Sequence, residues 1–163
     1  MSKLLLDKNK KKLISGFTLI EVLIVAAVLV IIAVAGSGFY TNYNKSIEID
    51  AATQSLVFNL KQARSNSMIG VGSFKWGVHF VNSTADYYEI FSTPTDYSSA
   101  SKVVTSKIYL SNGVTFSNPI SDATSDIIFN KISGNASTSQ VGLVYQDNSR
   151  IINVSTIGNI SVQ

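Results

Sequence analysis

The hydrophobic pattern of the chain changes abruptly at Gly16. Before it lie five lysines and one acidic residue, Asp7, whereas the stretch 17–40 is almost entirely apolar and has a single ionisable side chain, Glu21. As a helix these 24 residues would be about 36 Å long, enough to cross the roughly 30 Å hydrocarbon core of a bilayer. Lysines on the N-terminal flank favour the cytoplasmic side. The pattern therefore predicts a single membrane span over 17–40, with residues 41–163 outside the cytoplasm.

After Tyr40 the apolar residues recur every three or four positions, which is typical of an amphipathic helix. We predict that one helix extends from Phe17 to about Met68 and that its second half packs on a sheet. Gly70 and Gly72 are expected to end it. The apolar stripe of this second half consists of Ile49, Ala52, Leu56, Leu60 and Ala63.

The remaining chain alternates turn-forming residues with short segments rich in β-branched and aromatic residues. Gln146–Ser149 and Asn112-Gly113 are predicted as turns, and the Ser/Thr-rich stretch Thr93–Ser106 as a long exposed loop. These patterns predict an α+β fold, in which a long N-terminal helix packs on an antiparallel β-sheet. The predicted strands are Phe74–Val81, Tyr87–Ser92, Lys107–Leu110, Val114–Phe116, Asp126–Phe129, Val141–Tyr145, Ile151–Val154 and Asn159–Val162.

An ordinary secretory signal is one alternative for the N-terminal segment. Ala33-Val34-Ala35 satisfies the small-x-small cleavage pattern, which would leave a mature chain beginning at Gly36. The apolar run before this point is 19 residues long, however, whereas the apolar core of a signal peptide usually has about 7–15. The carboxylate of Glu21 would also lie within that core. A plain membrane anchor is the second alternative.

The residues at the end of the basic leader carry a more specific motif. Gly16 is followed by Phe17-Thr18-Leu19-Ile20-Glu21, and this arrangement resembles the type IV prepilin signal, the class III signal that prepilin peptidases recognise. The resemblance implies that the leader 1–16 is removed by cleavage between Gly16 and Phe17. It also implies that Phe17 becomes the first residue, N-methylphenylalanine, and that the apolar helix assembles into a filament.

Glu21 has a physical reason to take part in that assembly. A charged side chain deep in a bilayer costs on the order of 2.5–3.5 kcal/mol, so such residues usually have a partner. No Lys, Arg or His lies in the helical turns that follow Phe17, but cleavage before Phe17 creates an α-amine on each subunit. We predict that the Glu21 carboxylate pairs with the Phe17 amine of a neighbouring subunit and fixes the register between the two.

Three segments of the domain carry a second resemblance: Leu56–Ser65, Trp76-Gly77-Val78 and Arg150–Ile160. Together they are similar to the minor-pilin family that groups type II secretion pseudopilin H with minor pilins of the FimT type. The resemblance implies a helix packed on antiparallel sheet and a C-terminal hairpin with a glycine near its turn. It predicts a minor subunit of a type IV pilus or of a type II secretion-like pseudopilus. Its partners would be prepilin peptidase and other pilins or pseudopilins, first at the bacterial inner membrane and then in a periplasmic or cell-surface filament.

Charge bears on a rival function, that of a DNA-binding minor pilin in a competence filament. The sequence pI of 9.1 arises from the leader, since residues 41–163 carry eight basic and eight acidic side chains. A DNA receptor is expected to have a basic C-terminal hairpin, and this region offers only Arg150 and Lys131. The charge balance argues against nucleic acid as a partner but leaves a local basic patch open. After the filament subunit and the DNA receptor, a third possible function is that of a membrane-anchored protein that never polymerises.

The chain offers little catalytic chemistry. It has no cysteine and a single histidine, His79, in an alternating strand pattern. A packed or surface histidine is expected there, because no nucleophile motif surrounds it. Asp122, Asp126 and Asp147 do not follow the spacing of a calcium-binding loop. We predict no enzymatic activity and no cofactor. The sequence indicates no metal site but leaves one open.

Overall fold

The computed structural model describes residues 16–111 and 113–163, with residues 36–42 described by their backbone alone. Residues 1–15 of the predicted leader and Asn112 of the second predicted turn lie outside the described residues. The chain divides into two compact units between Tyr40 and Thr41, where the apolar stretch of the sequence ends.

The N-terminal unit contains a short non-helical segment, Gly16–Thr18, and the first part of helix α1 (Leu19–Ile69). The helix begins two residues after the predicted start at Phe17 and ends close to the predicted Met68. The sequence pattern predicts a membrane span over 17–40. Among the described residues, no helix has a stretch both long and apolar enough to cross a membrane.

The second unit contains the rest of α1, a short 3₁₀ helix (Val71–Ser73) and eight strands. Gly70 adopts a left-handed conformation with a φ of 76°, and its amide donates to the Asn66 carbonyl at 3.0 Å. This conformation ends α1 at the position that the sequence predicts. The strands are β1 (Lys75–Val81), β2 (Tyr87–Thr93), β3 (Val103–Tyr109), β4 (Thr115–Asn118), β5 (Thr124–Phe129), β6 (Ser139–Tyr145), β7 (Asn148–Val154) and β8 (Ile160–Val162).

The strands form two four-stranded sheets. Sheet 1 has the order β3-β2-β1-β5, and sheet 2 has the order β4-β6-β7-β8. All neighbouring strands in both sheets are antiparallel. The α+β fold class and the antiparallel pairing predicted from the sequence are confirmed, whereas the division into two sheets was not anticipated.

The core joins the second part of α1 to both sheets. Ile49, Leu56, Leu60 and Ala63 are fully buried, as their spacing predicts, and Ala52 packs at the margin of the same core. Burying a leucine or isoleucine contributes roughly 1.5–3 kcal/mol, so this stripe holds the helix on the sheets. Its partners on the strands are Val78, Phe80, Tyr88, Phe116, Ile127, Phe129, Val141, Leu143, Ile152 and Val154.

Strand β3 is longer than the sequence predicts. It begins at Val103, so the prediction of a loop as far as Ser106 is wrong for its last four residues. The strand is the edge of sheet 1 and pairs with β2 across a bulge between Ile90 and Phe91. Because most of its side chains are exposed, Ser and Thr are tolerated at positions where a buried strand would have apolar residues.

The β6–β7 turn is shorter than predicted. Tyr145 pairs with Asn148, which leaves Gln146 and Asp147 as the two turn residues. Gln146 has a φ of 53°, a left-handed conformation that two-residue hairpin turns require. Asn148 and Ser149 of the predicted four-residue turn belong to β7 instead.

Arg64 and Gly158 connect α1 to the turn between β7 and β8. Arg64 donates from Nε to the Gly134 carbonyl at 3.3 Å and from Nη2 to the Ile157 carbonyl at 3.0 Å. Gly158 has a φ of 74°, and a Cβ at this position would lie 2.0 Å from the Gly134 carbonyl oxygen. The close approach of two loops therefore requires glycine here.

We expect Gly158→Ala to lower the free energy of unfolding by roughly 2–4 kcal/mol, from the left-handed φ and the steric overlap together. Gly70→Ala is the matched control, because Gly70 has a φ of 76° but a Cβ added to it would meet no described atom within 4 Å. This control substitution should cost only about 1 kcal/mol. Urea denaturation of the processed chain in detergent, followed by circular dichroism, measures both. Equal losses of unfolding free energy in the two variants would show that the close approach to the Gly134 carbonyl adds nothing to the cost of an alanine.

Candidate processing and assembly site

The predicted cleavage site lies just outside the start of α1. Thr18 caps the helix: its Oγ1 accepts a hydrogen bond from the Glu21 amide at 3.2 Å, and its carbonyl accepts one from the Val22 amide at 3.2 Å. A threonine followed three residues later by glutamate is the spacing of a capping box. Because Thr18 stops the helix from extending backwards, the Gly16–Phe17 bond lies in non-helical chain. Proteolysis is favoured in exposed segments outside regular secondary structure, and residues 16–18 are exposed.

Gly16 has no role in the fold that the structure reveals. A Cβ added to it would meet no described atom within 4 Å. A larger residue could therefore occupy this position in the isolated chain. Among the described residues, none accounts for a glycine at this position.

Phe17 and Glu21 are both exposed. The Phe17 side chain is 82% exposed, so it makes little contact with the rest of the described chain. Glu21 lies in the first turn of α1, where the positive end of the helix dipole favours a carboxylate. Among the described residues no side chain forms an ion pair with Glu21. Its carboxylate is thus available to a partner molecule.

The first part of α1 exposes apolar side chains on all sides. Every leucine, isoleucine and valine from Leu19 to Val34 is between 48% and 83% exposed. A helix that is apolar all round is normally buried, either among other helices or in lipid. This segment therefore needs a covering that the single chain does not provide, and Glu21 is the one acidic or basic residue within it.

His79, the single histidine of the sequence, is part of a packed cluster on sheet 1. Its Nδ1 contacts the Asp126 carboxylate, and its ring stacks on that of Tyr97 with 3.6 Å between centroids. The Tyr97 hydroxyl donates to Glu89 Oε2 at 2.7 Å, and burial, followed by the Glu89 hydrogen bond, raises the pKa of Tyr97. The packed histidine that the sequence predicts is found, and its partners place it in a structural cluster.

The sequence indicates no metal site and argues against nucleic acid as a partner. In the part of the chain that the structure describes, no group of three or more His, Cys, Asp or Glu side chains could hold a metal ion. Arg150 donates from Nε to Asp50 Oδ1 at 2.8 Å, and Lys131 donates to the Ser73 carbonyl at 2.9 Å. The two basic residues that the sequence offers near the C-terminal hairpin are therefore engaged within the domain.

Comparison with known proteins identifies the N-terminal segment. No significant match to the chain was found among curated proteins or among solved structures. Residues 11–37 match the family model of the prokaryotic N-terminal methylation motif, a range that includes Gly16, Phe17 and Glu21. This motif is the class III signal of type IV pilins, and its family is structural and not enzymatic. The match supports a type IV pilin-like subunit that is processed by prepilin peptidase.

Proposed function

We propose that this chain is a minor subunit of a type IV pilus or of a type II secretion-like pseudopilus. Cleavage between Gly16 and Phe17, methylation of the Phe17 amine and assembly through α1 prepare it for the filament. The observation that supports this most directly is the methylation motif over 11–37. It coincides with an exposed apolar helix whose capped first turn carries a carboxylate that no described side chain pairs with.

The proposed partners are prepilin peptidase and other pilins or pseudopilins. Before assembly the chain is anchored in the inner membrane by a single pass over 17–40, with residues 41–163 outside the cytoplasm. The lysines that precede Gly16 support this orientation, because positively charged flanks remain in the cytoplasm. In the filament, neighbouring apolar helices replace the lipid around the helix.

The small number of charged residues in the domain fits a minor subunit better than the major subunit of a filament. A major subunit must present complementary lateral surfaces that repeat without end, as a heterologous interface. Residues 41–163 carry only eight basic and eight acidic side chains, which leaves few charge pairs to specify such contacts. An initiating or tip-proximal subunit needs fewer of them. The resemblance of Leu56–Ser65 and of Arg150–Ile160 to minor pilins supports the same assignment.

A DNA-binding role has less support. Affinity for DNA rises with the number of phosphates that lysine and arginine neutralise. Arg150 is paired with Asp50, Lys131 with a backbone carbonyl and Arg64 with two carbonyls. These contacts engage three of the eight basic residues of 41–163 within the domain, which supports a structural subunit over a DNA receptor.

The proposed function is tested by the composition of purified filaments. Quantitative mass spectrometry of filaments from the native cell should find this chain as a small fraction of all subunits, in its processed form. If it is the most abundant subunit, the minor assignment is wrong while the filament assignment stands. If it is absent from filaments and remains in the membrane, the chain is an anchored protein and the proposal fails.

A further inference from the structure

Beside the domain part of α1 lies a groove that the proposed function leaves without a role. It has a volume of about 470 Å³ and runs between α1 and β8. Val57 and Phe58 of the helix and Val162 of β8 form its apolar walls. Phe58 is 66% exposed, although Leu56 and Leu60 on the same helix are fully buried. The α1–β8 groove therefore lies beside the buried face of the helix, and its apolar walls are uncovered among the described residues.

One wall of the α1–β8 groove is an open sheet edge. Among the described residues β8 pairs with β7 alone, and Ile151 and Gln163 exchange two backbone hydrogen bonds at 3.0 and 2.9 Å. In antiparallel strands, alternate residues direct their N–H and C=O groups to the partner. Ser161 and Gln163 therefore face β7, whereas the backbone groups of Ile160 and Val162 point away from it. Outward groups of this kind are a template for a further strand.

The side chains of β8 show what such a strand would cover. Val162 lies opposite Ile152, and Ile160 lies opposite Val154. Ile152 and Val154 are fully buried, so Ile160 and Val162 lie on the face of sheet 2 that meets the core, and Ser161 lies on the opposite face. A strand added about 4.8 Å beyond β8 would enter the groove that Val57 and Phe58 line.

The ends of the α1–β8 groove indicate the length and the charge of its occupant. The helix rises about 16 Å between Asp50 and Lys61, a distance that about five residues of strand would span. Asp50 is neutralised by Arg150 at 2.8 Å. Lys61 forms no ion pair with any described side chain. The groove thus carries one uncompensated positive charge, which favours an acidic residue in the occupant.

We propose that the α1–β8 groove binds an extended segment of another protein, which joins sheet 2 as a strand beside β8. The backbone of the segment pairs with Ile160 and Val162, its alternate apolar side chains pack on Val57 and Phe58, and a carboxylate near one end meets Lys61. A helix could fill the same space but could not satisfy the sheet edge, because its backbone groups bond within the helix. This interaction does not depend on filament formation.

The test uses the full processed chain in detergent and short synthetic peptides as probes. One peptide alternates valine and threonine and has an aspartate at each end, and its control replaces the central residue by proline, which removes a backbone donor. The first peptide should bind and should slow hydrogen exchange of the Ile160 and Val162 amides, measured by NMR. The Ser161 amide, already directed to β7, should change little. The proline peptide should bind at least about tenfold more weakly.

Two variants of the protein separate the contributions of backbone and charge. Val162→Pro removes one outward donor while leaving the bonds to β7 in place, and it should weaken binding about tenfold, whereas Val162→Thr should bind as the original chain does. Lys61→Glu leaves β8 untouched and should shift the preference to a peptide that ends in lysine. Because Lys61 is exposed, this second variant remains informative if Val162→Pro fails to fold.

Three results would overturn the proposal. Binding that is equal for the two peptides would show that the groove does not add a strand. The absence of protection at Ile160 and Val162 with every peptide would show that the sheet edge is not used. Protection that appears without peptide as the protein concentration rises would assign the groove to a second copy of this chain.

Discussion

The variant Gly16→Leu is expected to retain its leader in nearly all molecules, whereas the original chain loses residues 1–16. The structure supplies the physical reason: the Gly16–Phe17 bond lies before the capped start of α1, and a side chain on Gly16 would meet no described atom within 4 Å. A loss of cleavage would then reflect exclusion of the larger residue by the peptidase and not a change in the fold. Intact mass spectrometry of membrane-extracted protein measures the outcome.

The processed form should have the mass of residues 17–163 plus one methyl group, and the variant should have the mass of the full chain. Gly16→Ala is the matched control, because its small side chain should still be accepted and processed. Both variants should unfold at the same urea concentration as the original chain. Efficient cleavage of Gly16→Leu would contradict the predicted site, and a mature N-terminus at Gly36 would establish an ordinary signal peptide instead.

The sequence predicted those parts of the fold that depend on local patterns. The stripe of Leu56, Leu60 and Ala63 located the second part of α1, and Gly70 located its end, because spacing and left-handed φ are properties of neighbouring residues. The start of β3 at Val103 was missed, since an exposed edge strand with Ser and Thr has no buried face to mark it. The spacing of apolar residues locates a strand or a helix only where one face of it is buried.

Arrangements that depend on strand register could not be predicted from the sequence. His79 lies opposite both Asp126 and Glu89, and Glu89 lies opposite Lys107, so four ionisable side chains form one row across sheet 1. These residues are far apart in the sequence, and a shift of one residue in any pair would move a whole strand's side chains to the other face. The α1–β8 groove depends in the same way on the position of β8 at a sheet edge.

The candidate site contains residues that a local motif predicts and one contact that was not predicted. Gly16, Phe17 and Glu21 were selected from a motif of adjacent residues, and their roles in processing and assembly stay predictions. The cap formed by Thr18 was not predicted, although the sequence carried its signal in the spacing of Thr18 and Glu21. The partner that covers the apolar helix lies outside the single chain, so neither its sequence nor its structure identifies that partner.

Glu21→Val is expected to reach the membrane and be processed normally, yet to be depleted from filaments. The variant should insert into the membrane at least as well as the original chain, because valine removes the cost of placing a carboxylate in lipid, on the order of 2.5–3.5 kcal/mol. The Thr18 cap should persist, because it uses the backbone amide of residue 21 and not its side chain. Only the proposed pairing with the Phe17 amine of a neighbouring subunit is lost.

Removing one member of a buried ion pair costs about 3–5 kcal/mol, since the other charge is left without a partner. Such a loss corresponds to about a hundredfold or more in an association constant, so filament incorporation of Glu21→Val should fall by a similar factor relative to the membrane pool. Glu21→Gln is the matched control for shape: it retains the length of the side chain without its charge, and it should fail nearly as completely. Quantitative mass spectrometry of the filament and membrane fractions gives the ratio for each variant. Incorporation of either variant at the original level would contradict a role for the Glu21 charge in setting the register, because the apolar helix surface would then be sufficient for assembly.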